Sequence, residues 1–268
     1  MSQPQKVLGL WDIHIGHEKT QSGGKWVLQK TWNPKAVTAV INFAKDWGPD
    51  VLVLGGDQLN AGSISHWNHG KPIMSEGLRL KDEMDTLDET VLTPLEATKS
   101  VKRKIWHTGN HEQWIADFIA GNPAIEGLVE PEVYLRLEER GYETYSQGEI
   151  SKLGKINYVH GDAVLGRGTT VNPAKTLVNA YRRNIRAGHI HTYSAAIEQT
   201  AVDARDYHSG IIVPSLSIKN PYFVKGRPNC YMQGFYWGYV WPDGEFTDQV
   251  TIINNNQFTV GGRRYGKG

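Results

Sequence analysis

Five short stretches of this chain collect side chains that bind metals or move protons. They are Asp12-Ile13-His14, Gly56-Asp57, Gly109-Asn110-His111-Glu112, His160-Gly161-Asp162 and Gly188-His189-Ile190-His191. Their ligand types are carboxylate, amide oxygen and imidazole, without thiolate. Such a mixed N/O set suits Mn, Fe, Zn or Co rather than a structural zinc site built on cysteines. In Asp12-x-His14 and His189-x-His191 the paired ligands are two apart, which on an extended chain turns both toward one pocket. A carboxylate such as Asp57 has two oxygens and can bridge two ions. Two ions roughly 3.5–4 Å apart clamp a phosphoryl group and activate water. Gly56, Gly109 and Gly188 each precede a ligand and permit tight turns or close backbone approach.

Every one of these stretches follows an apolar run that reads as a strand. Val7 to Trp11 leads to Asp12, Val51 to Leu54 to Asp57, Val101 to Trp106 to Asn110, the run ending in Val159 to His160, and Ile185 to Ala187 to His189. In open α/β sheets the carboxyl ends of strands are where ligands bind. Between the strands the spacing turns helical. Asn33-Pro34 supplies an N-cap and a first-turn proline, followed by Val37, Val40, Ile41, Ala44 and Trp47. A second, long helix is expected from Ser75 as cap through Leu80, Met84, Leu87, Val91 and Leu95. A helix is expected around 131–140, and another opens at Asn172-Pro173. Residues 17–32 read as a loop or hairpin. Short strands are expected near 149–153 and 155–160. Strand, helix, strand, helix, strand favours parallel crossovers. Beyond 193 the β-branched and aromatic content rises, and Pro242-Asp243-Gly244 marks a hairpin. One α/β domain over 1–268 is expected, with the motifs in 5–200 and a β-rich part in 201–268.

Composition sets the outer limits. The chain has 268 residues, 39% apolar and 21% charged, which fits a folded globular domain rather than a disordered one. A formal net charge of +1 gives no general attraction for nucleic acid or membrane, so any such binding must be local. A single cysteine, Cys230, precludes an intramolecular disulfide. The N-terminus does not read as a signal peptide, and no stretch approaches the roughly 18 apolar residues of a membrane span. A cytoplasmic setting is expected, a host cytoplasm if the chain is phage-encoded.

The ordered set of motifs resembles the calcineurin-like metallophosphoesterase superfamily, whose signature runs D-x-H, G-D, G-N-H-[ED], H, G-H-x-H. All five blocks occur here in that order over residues 12–191. The resemblance implies a four-layer α/β/β/α sandwich of mixed sheets holding two divalent metal ions, with Mn first and Zn, Fe, Ni, Co or Mg as alternatives. It would place Asp12, His14, Asp57 and His191 on one metal and Asp57, Asn110, His160 and His189 on the other. His111 would touch the substrate phosphate and help protonate the leaving oxygen. Within the superfamily, GDQLNAG lacks the arginine of the serine/threonine phosphatase branch. D-I-H-I-G resembles the first block of SbcD-type nucleases, although Gln58-Leu59-Asn60 departs from their second block. The whole also looks like phosphoesterases encoded in bacteriophage genomes.

A phosphate-ester substrate follows from this reading, with a phosphodiesterase or nuclease ahead of a phosphomonoesterase. Further candidates lie around the motifs. His66, His69 and Arg167 are candidate substrate contacts, or else ordinary polar loop residues. Asp162 would orient His160 or simply turn its loop. Lys175, Arg182, Arg183 and Arg186 form a basic run that either contacts a nucleic-acid backbone or covers a solvated face. Trp67 and Trp114 could stack bases or serve as core. His107 reads as structural, and His17 as either a neighbour of the ligands or a solvated loop residue.

Overall fold

In a computed structural model the described residues are 3–68, 70–166, 171–199 and 207–267. The chain opens with β1 (Gln5–Leu10), then a hairpin of β2 (His17–Ser22) and β3 (Lys25–Lys30). Helix α1 (Pro34–Trp47) begins where expected: the Asn33 side chain accepts from Ala36 N, and Gly48 closes the helix in the left-handed conformation. Strand β4 (Val51–Leu54) follows. The segment to the next strand carries α2 (Pro72–Ser75), α3 (Leu80–Leu87) and α4 (Thr93–Glu96), and leads into β5 (Arg103–His107). Then come α5 (Asn110–Gly121), α6 (Pro131–Tyr134), β6 (Tyr142–Tyr145), β7 (Ser151–Leu153), β8 (Ile156–Tyr158) and α7 (Pro173–Tyr181). The chain finishes with β9 (Asn184–Ala187), β10 (Ser194–Gln199), β11 (Tyr207–Ile212), β12 (Gln233–Val240), β13 (Phe246–Ile253), β14 (Phe258–Val260) and β15 (Arg263–Tyr265).

Two mixed sheets stack face to face. The first has six strands in the order β13-β12-β1-β4-β5-β6, in which β1, β4, β5 and β6 run parallel and β12 and β13 extend the edge antiparallel. The second has five, β10-β11-β9-β8-β7, with β8, β9 and β11 parallel. Side-chain alternation along each strand splits the core in two. From the first sheet Val7, Val51, Val53 and Ile105 meet Ile156, Tyr158 and Val213 of the second. Leu8, Leu10, Leu52 and Leu54 point the other way, against α1 and α3. The far face of the second sheet packs Ile185 and Ile212 against Leu177 and Val178 of α7. The result is the helix, sheet, sheet, helix layering that the resemblance implied. No helix among the described residues is long and apolar enough to cross a membrane.

Three local expectations change. The helix drawn from Ser75 to Leu95 is broken: Ser75 ends α2, Gly77 takes a left-handed φ of 78°, and α3 starts only at Leu80. Its downstream end passes through a π turn over Asp88–Leu92, in which Thr93 N–H reaches Asp88 O. Pro94 explains that turn, because its ring cannot sit against the carbonyl four residues earlier. Around 131–140 only Pro131–Tyr134 is α-helical, and Arg136 at a φ of 53° stops it. Conversely, GNHE opens the three-turn helix α5, a helix the apolar spacing did not mark. Glu112, three residues after the N-cap Gly109, accepts from Gly109 N at 2.9 Å, which is the glutamate half of a capping box.

Candidate metal centre

The five stretches meet at one end of the sheets. The candidate ligands do not extend the strands; they lie just past them, five of the seven in left-handed backbone. Asp12, His14, Asp57, His189 and His191 have φ of 52°, 54°, 54°, 72° and 56°, left-handed values that cost a non-glycine residue of order 1–3 kcal/mol each. The two-residue spacing of Asp12/His14 and His189/His191 therefore works differently from the alternation of an extended chain. β1 ends at Leu10 and β9 at Ala187, and the turns beyond them aim both members of each pair inward. Cross-links hold these turns: Asp12 N donates to Gly56 O at 3.0 Å, His14 N to Asp57 O at 2.9 Å, and Thr31 Oγ1 to His14 O at 2.6 Å.

The glycines ahead of the ligands are there for space. A Cβ on Gly109 would stand 2.2 Å from Asp57 Oδ1, and one on Gly188 would stand 2.3 Å from Asp12 Oδ2. Both carboxylates lie against bare backbone and take N–H groups from it or its neighbours. His111 N donates to Asp57 Oδ1 at 2.9 Å, and His189 N to Asp12 Oδ2 at 2.7 Å.

Two ligand clusters result, and a third group, His14, Asp57 and His111, lies across their boundary. Asp12, His14 and His191 form one: His191 Nε2 lies 3.6 Å from Asp12 Oδ1 and 3.0 Å from His14 Nε2. Asp57, His160 and His189 form the other, with His160 Nε2 3.4 Å from Asp57 Oδ2 and 3.3 Å from Asn110 Oδ1. His14 Nε2 is 3.7 Å from the same Asp57 Oδ2, so that one oxygen faces both clusters. His111 Nε2 is 3.9 Å from it. The residues fit divalent cations that prefer nitrogen and oxygen. Asp12 Oδ1 and His189 Nδ1 are buried without a hydrogen-bond partner, a state that costs free energy unless something positive or donating meets them.

Charge is distributed accordingly. Burial pushes the His14, His111 and His189 imidazoles down, toward the neutral form that binds metal. Burial also raises Asp57, but the imidazoles of His160 and His111 outweigh it and hold the carboxyl well below the carboxylate range. Burial lowers His160, yet the facing Asp57 charge prevails and pushes it up to about 10.

Side chains that the sequence did not single out as supports hold the ligands. Glu112 receives Asp57 N, Leu59 N and Gly109 N, each at 2.9 Å, and so binds the Asp57 turn to the start of α5. Its place three residues after Gly109 was the available signal. Ser217 Oγ meets His191 Nδ1 at 3.3 Å, and nothing in the local sequence marks it. The Gly55 carbonyl, 3.1 Å from His160 Nδ1, orients that ring; Asp162 instead accepts from Gln147. His107 is structural as expected: burial pushes it down to about 3, and Nε2 meets Ser151 Oγ at 2.8 Å.

A cavity of about 610 Å³ opens over the ligands, walled by Trp67, Trp114, Tyr222, Phe223 and Tyr231 among others. His17 and Lys19 of β2 also line it, and Lys19 is its one lysine or arginine among the described residues. His66 is not in the lining; its ring stands 5.1 Å from that of Trp114, edge to face. Arg167 and His69 lie outside the described residues. The basic run does not form a binding face beside the ligands. Arg186 is 1% exposed and pairs with Asp248, Lys175 pairs with Glu198, and Arg182 and Arg183 precede β9, at the end of the strand away from the ligands.

No protein-family model matches the chain, and no curated protein matches it. Among solved structures it is similar to a 5'-nucleotidase precursor from Thermus thermophilus, at 10% identity and a TM-score of 0.36. That likeness covers 92% of this chain and 54% of the other, so the chain spans about half the length of that protein.

Proposed function

We propose that this chain hydrolyses phosphate esters at a two-cation centre, phosphodiesters ahead of monoesters. The observation that carries the reading is the single carboxylate oxygen of Asp57 facing His14, His160 and His111 at 3.7, 3.4 and 3.9 Å. Asp12, His14, Asp57 and His191 would hold one cation and Asp57, Asn110, His160 and His189 the other, with Mn²⁺ the first to test. Bound there, two divalent ions supply Lewis acidity to the phosphoryl group and a nucleophilic water at neutral pH.

His111 is assigned the proton transfer. Its Nδ1 lies 2.7 Å from Asn60 O, a carbonyl that can only accept, so Nδ1 carries hydrogen. When the ring is protonated, Nε2–H is left for the substrate. The P–O bond to the leaving group breaks as water attacks phosphorus, and that proton passes to the departing oxygen. Asn60 O supports the positive ring through this cycle.

Lys19 as the one lysine or arginine in the described lining favours a diester. A monoester dianion profits from charge concentrated on its terminal oxygens, whereas a diester carries one negative charge and two organic arms. The test is hydrolysis of bis-p-nitrophenyl phosphate against p-nitrophenyl phosphate with Mn, Zn, Mg, Ni or Co. Higher kcat/KM for the diester is expected. A clear monoester preference moves the function to a phosphatase, and no turnover with any metal removes the enzyme reading.

A further inference from the structure

Six rings form one continuous row through the site. Phe223 and Tyr231 stand 6.4 Å apart between centroids, Tyr231 and His191 4.9 Å, His191 and His14 4.9 Å, His14 and His111 4.5 Å, and His111 and Trp114 3.9 Å. The middle of the row is the ligand imidazoles and His111. Its two ends are carbon-rich: Phe223 is 61% exposed, and Trp114 is half-buried, with Trp67, 49% exposed, lying beyond it past His66. The Phe223 end is braced. Tyr222 N donates to the Glu18 carboxylate at 2.7 Å, and the Tyr222 ring packs on Trp26 of β3 at 5.7 Å.

An aromatic arm thus leaves the reacting centre at each end, one ring beyond its histidines. A phosphomonoester has one organic arm and would engage one of them. A double helix keeps its bases paired inside and presents phosphates, which call for lysine and arginine; the cavity has Lys19 alone among the described residues. Unpaired nucleobases, by contrast, stack on aromatic faces, and a two-nucleoside diester carries a single phosphate charge. We infer that the substrate is a phosphodiester joining two nucleosides with unpaired bases. Trp114, beside His111, is the platform for the base of the leaving nucleoside, and Tyr231, beside His191, is the platform for the other. This specificity rests on the phosphoesterase reading above.

The test uses Mn-loaded protein and two substrates sharing one leaving group, thymidine 5'-(p-nitrophenyl phosphate) and methyl p-nitrophenyl phosphate. Stacking predicts a kcat/KM ratio of roughly ten or more in favour of the nucleoside. Tyr231→Leu should bring that ratio toward one, and Tyr231→Phe, which keeps the ring, should retain it. Trp114→Leu should slow dithymidine monophosphate more than methyl p-nitrophenyl phosphate. A matched uridine series identifies a ribo- or deoxyribonucleotide source, and a lead for either supports the class. Hydrolysis of both p-nitrophenyl esters with a ratio near one, or faster cleavage of duplex than of single-stranded DNA, overturns the inference while leaving the enzyme intact. If no ester is hydrolysed, the enzyme reading fails, and quenching of tryptophan fluorescence by dithymidine monophosphate decides the platforms. Quenching lost in Trp114→Leu keeps them as a binding site, and no quenching removes them.

Discussion

His111 meets Asp57 twice: its backbone N–H donates to Oδ1 at 2.9 Å, and its ring Nε2 stands 3.9 Å from Oδ2. The first contact belongs to the main chain and survives any substitution of the ring. The second is the contact that the proposed proton transfer would use. Asp57→Ala should therefore lose cations and turnover together, because its carboxylate borders both clusters. His111→Ala should keep its metal and lose about 10²–10⁴-fold in kcat, the usual worth of a positioned proton donor. Elemental analysis of both purified variants beside their kinetics checks this. A folded His111→Ala stripped of metal, with Asp57→Ala fully loaded, would reverse the assignment.

Glu83 of α3 holds the loop on which His111 leans. It is 3% exposed, its Oε2 accepts from Ala61 N at 2.6 Å, and its carboxyl fills the space where Gly16 has no Cβ. The adjacent Asn60 carbonyl receives His111 Nδ1. Glu83→Ala strands the buried N–H of Ala61 and should cost about 1–3 kcal/mol in denaturation. Burial pushes the Glu83 carboxyl from its ordinary 4.5 up to about 8. A carboxyl raised in the folded state contributes its full stability below about 4.5 and loses it as pH rises through about 8. Wild type should therefore weaken relative to Glu83→Gln between about pH 5 and about pH 9 in urea titrations. Parallel pH curves would show that Glu83 is ionised in the fold throughout.

The sequence carried the site better than its supports, for a physical reason. Candidate ligands are particular residue types at strand ends, so Asp12, His14, Asp57, Asn110, His160, His189 and His191 stand out as a pattern, as do the glycines that give them room. The left-handed turns that converge them are not visible, because nothing in D-I-H or H-I-H distinguishes an extended pair from a strained one. Supports are long-range: Ser217 reaches His191 across 26 residues and Glu112 reaches Asp57 across 55. Helix breaks at Pro94 and Gly77 were local signals that apolar periodicity overrode.

Arg186 shows how a charge run misleads. In sequence it belongs with Arg182 and Arg183; in the fold it is 1% exposed, donating to Asp248 Oδ2 at 2.5 Å and Ser209 O at 2.8 Å, with Tyr236 OH on the same Asp248 oxygen at 2.9 Å. Arg186→Ala leaves a buried carboxylate uncompensated and should cost about 3–5 kcal/mol. Arg186→Met with Asp248→Leu, which removes both charges, should cost much less. Thermal melts of the two variants decide the matter. Equal losses would mean that packing, not charge pairing, sets the energy at this position.

Metal loading should depend on pH through one proton. Burial lowers His160, but Asp57 outweighs it, so the imidazole is pushed from 6.5 up to about 10. In the metal-free protein a histidine raised in this way stabilises the fold fully below about 6.5 and ceases to as pH passes about 10. A cation takes the place of that proton and must displace it. Burial pushes His14 and His189 down, toward the neutral form, and the facing imidazoles hold Asp57 toward its ionised form, so His160 is the ligand whose proton a cation must displace. Between about pH 6 and about pH 8, affinity should thus rise roughly tenfold per pH unit, with about one proton released per cation in the Asp57–His160 cluster. Chelator competition gives the affinity, and calorimetry in buffers of different ionisation enthalpy counts the proton. His160→Gln should bind more weakly but lose most of the slope. A steep slope that persists in His160→Gln would place the displaced proton on another ligand.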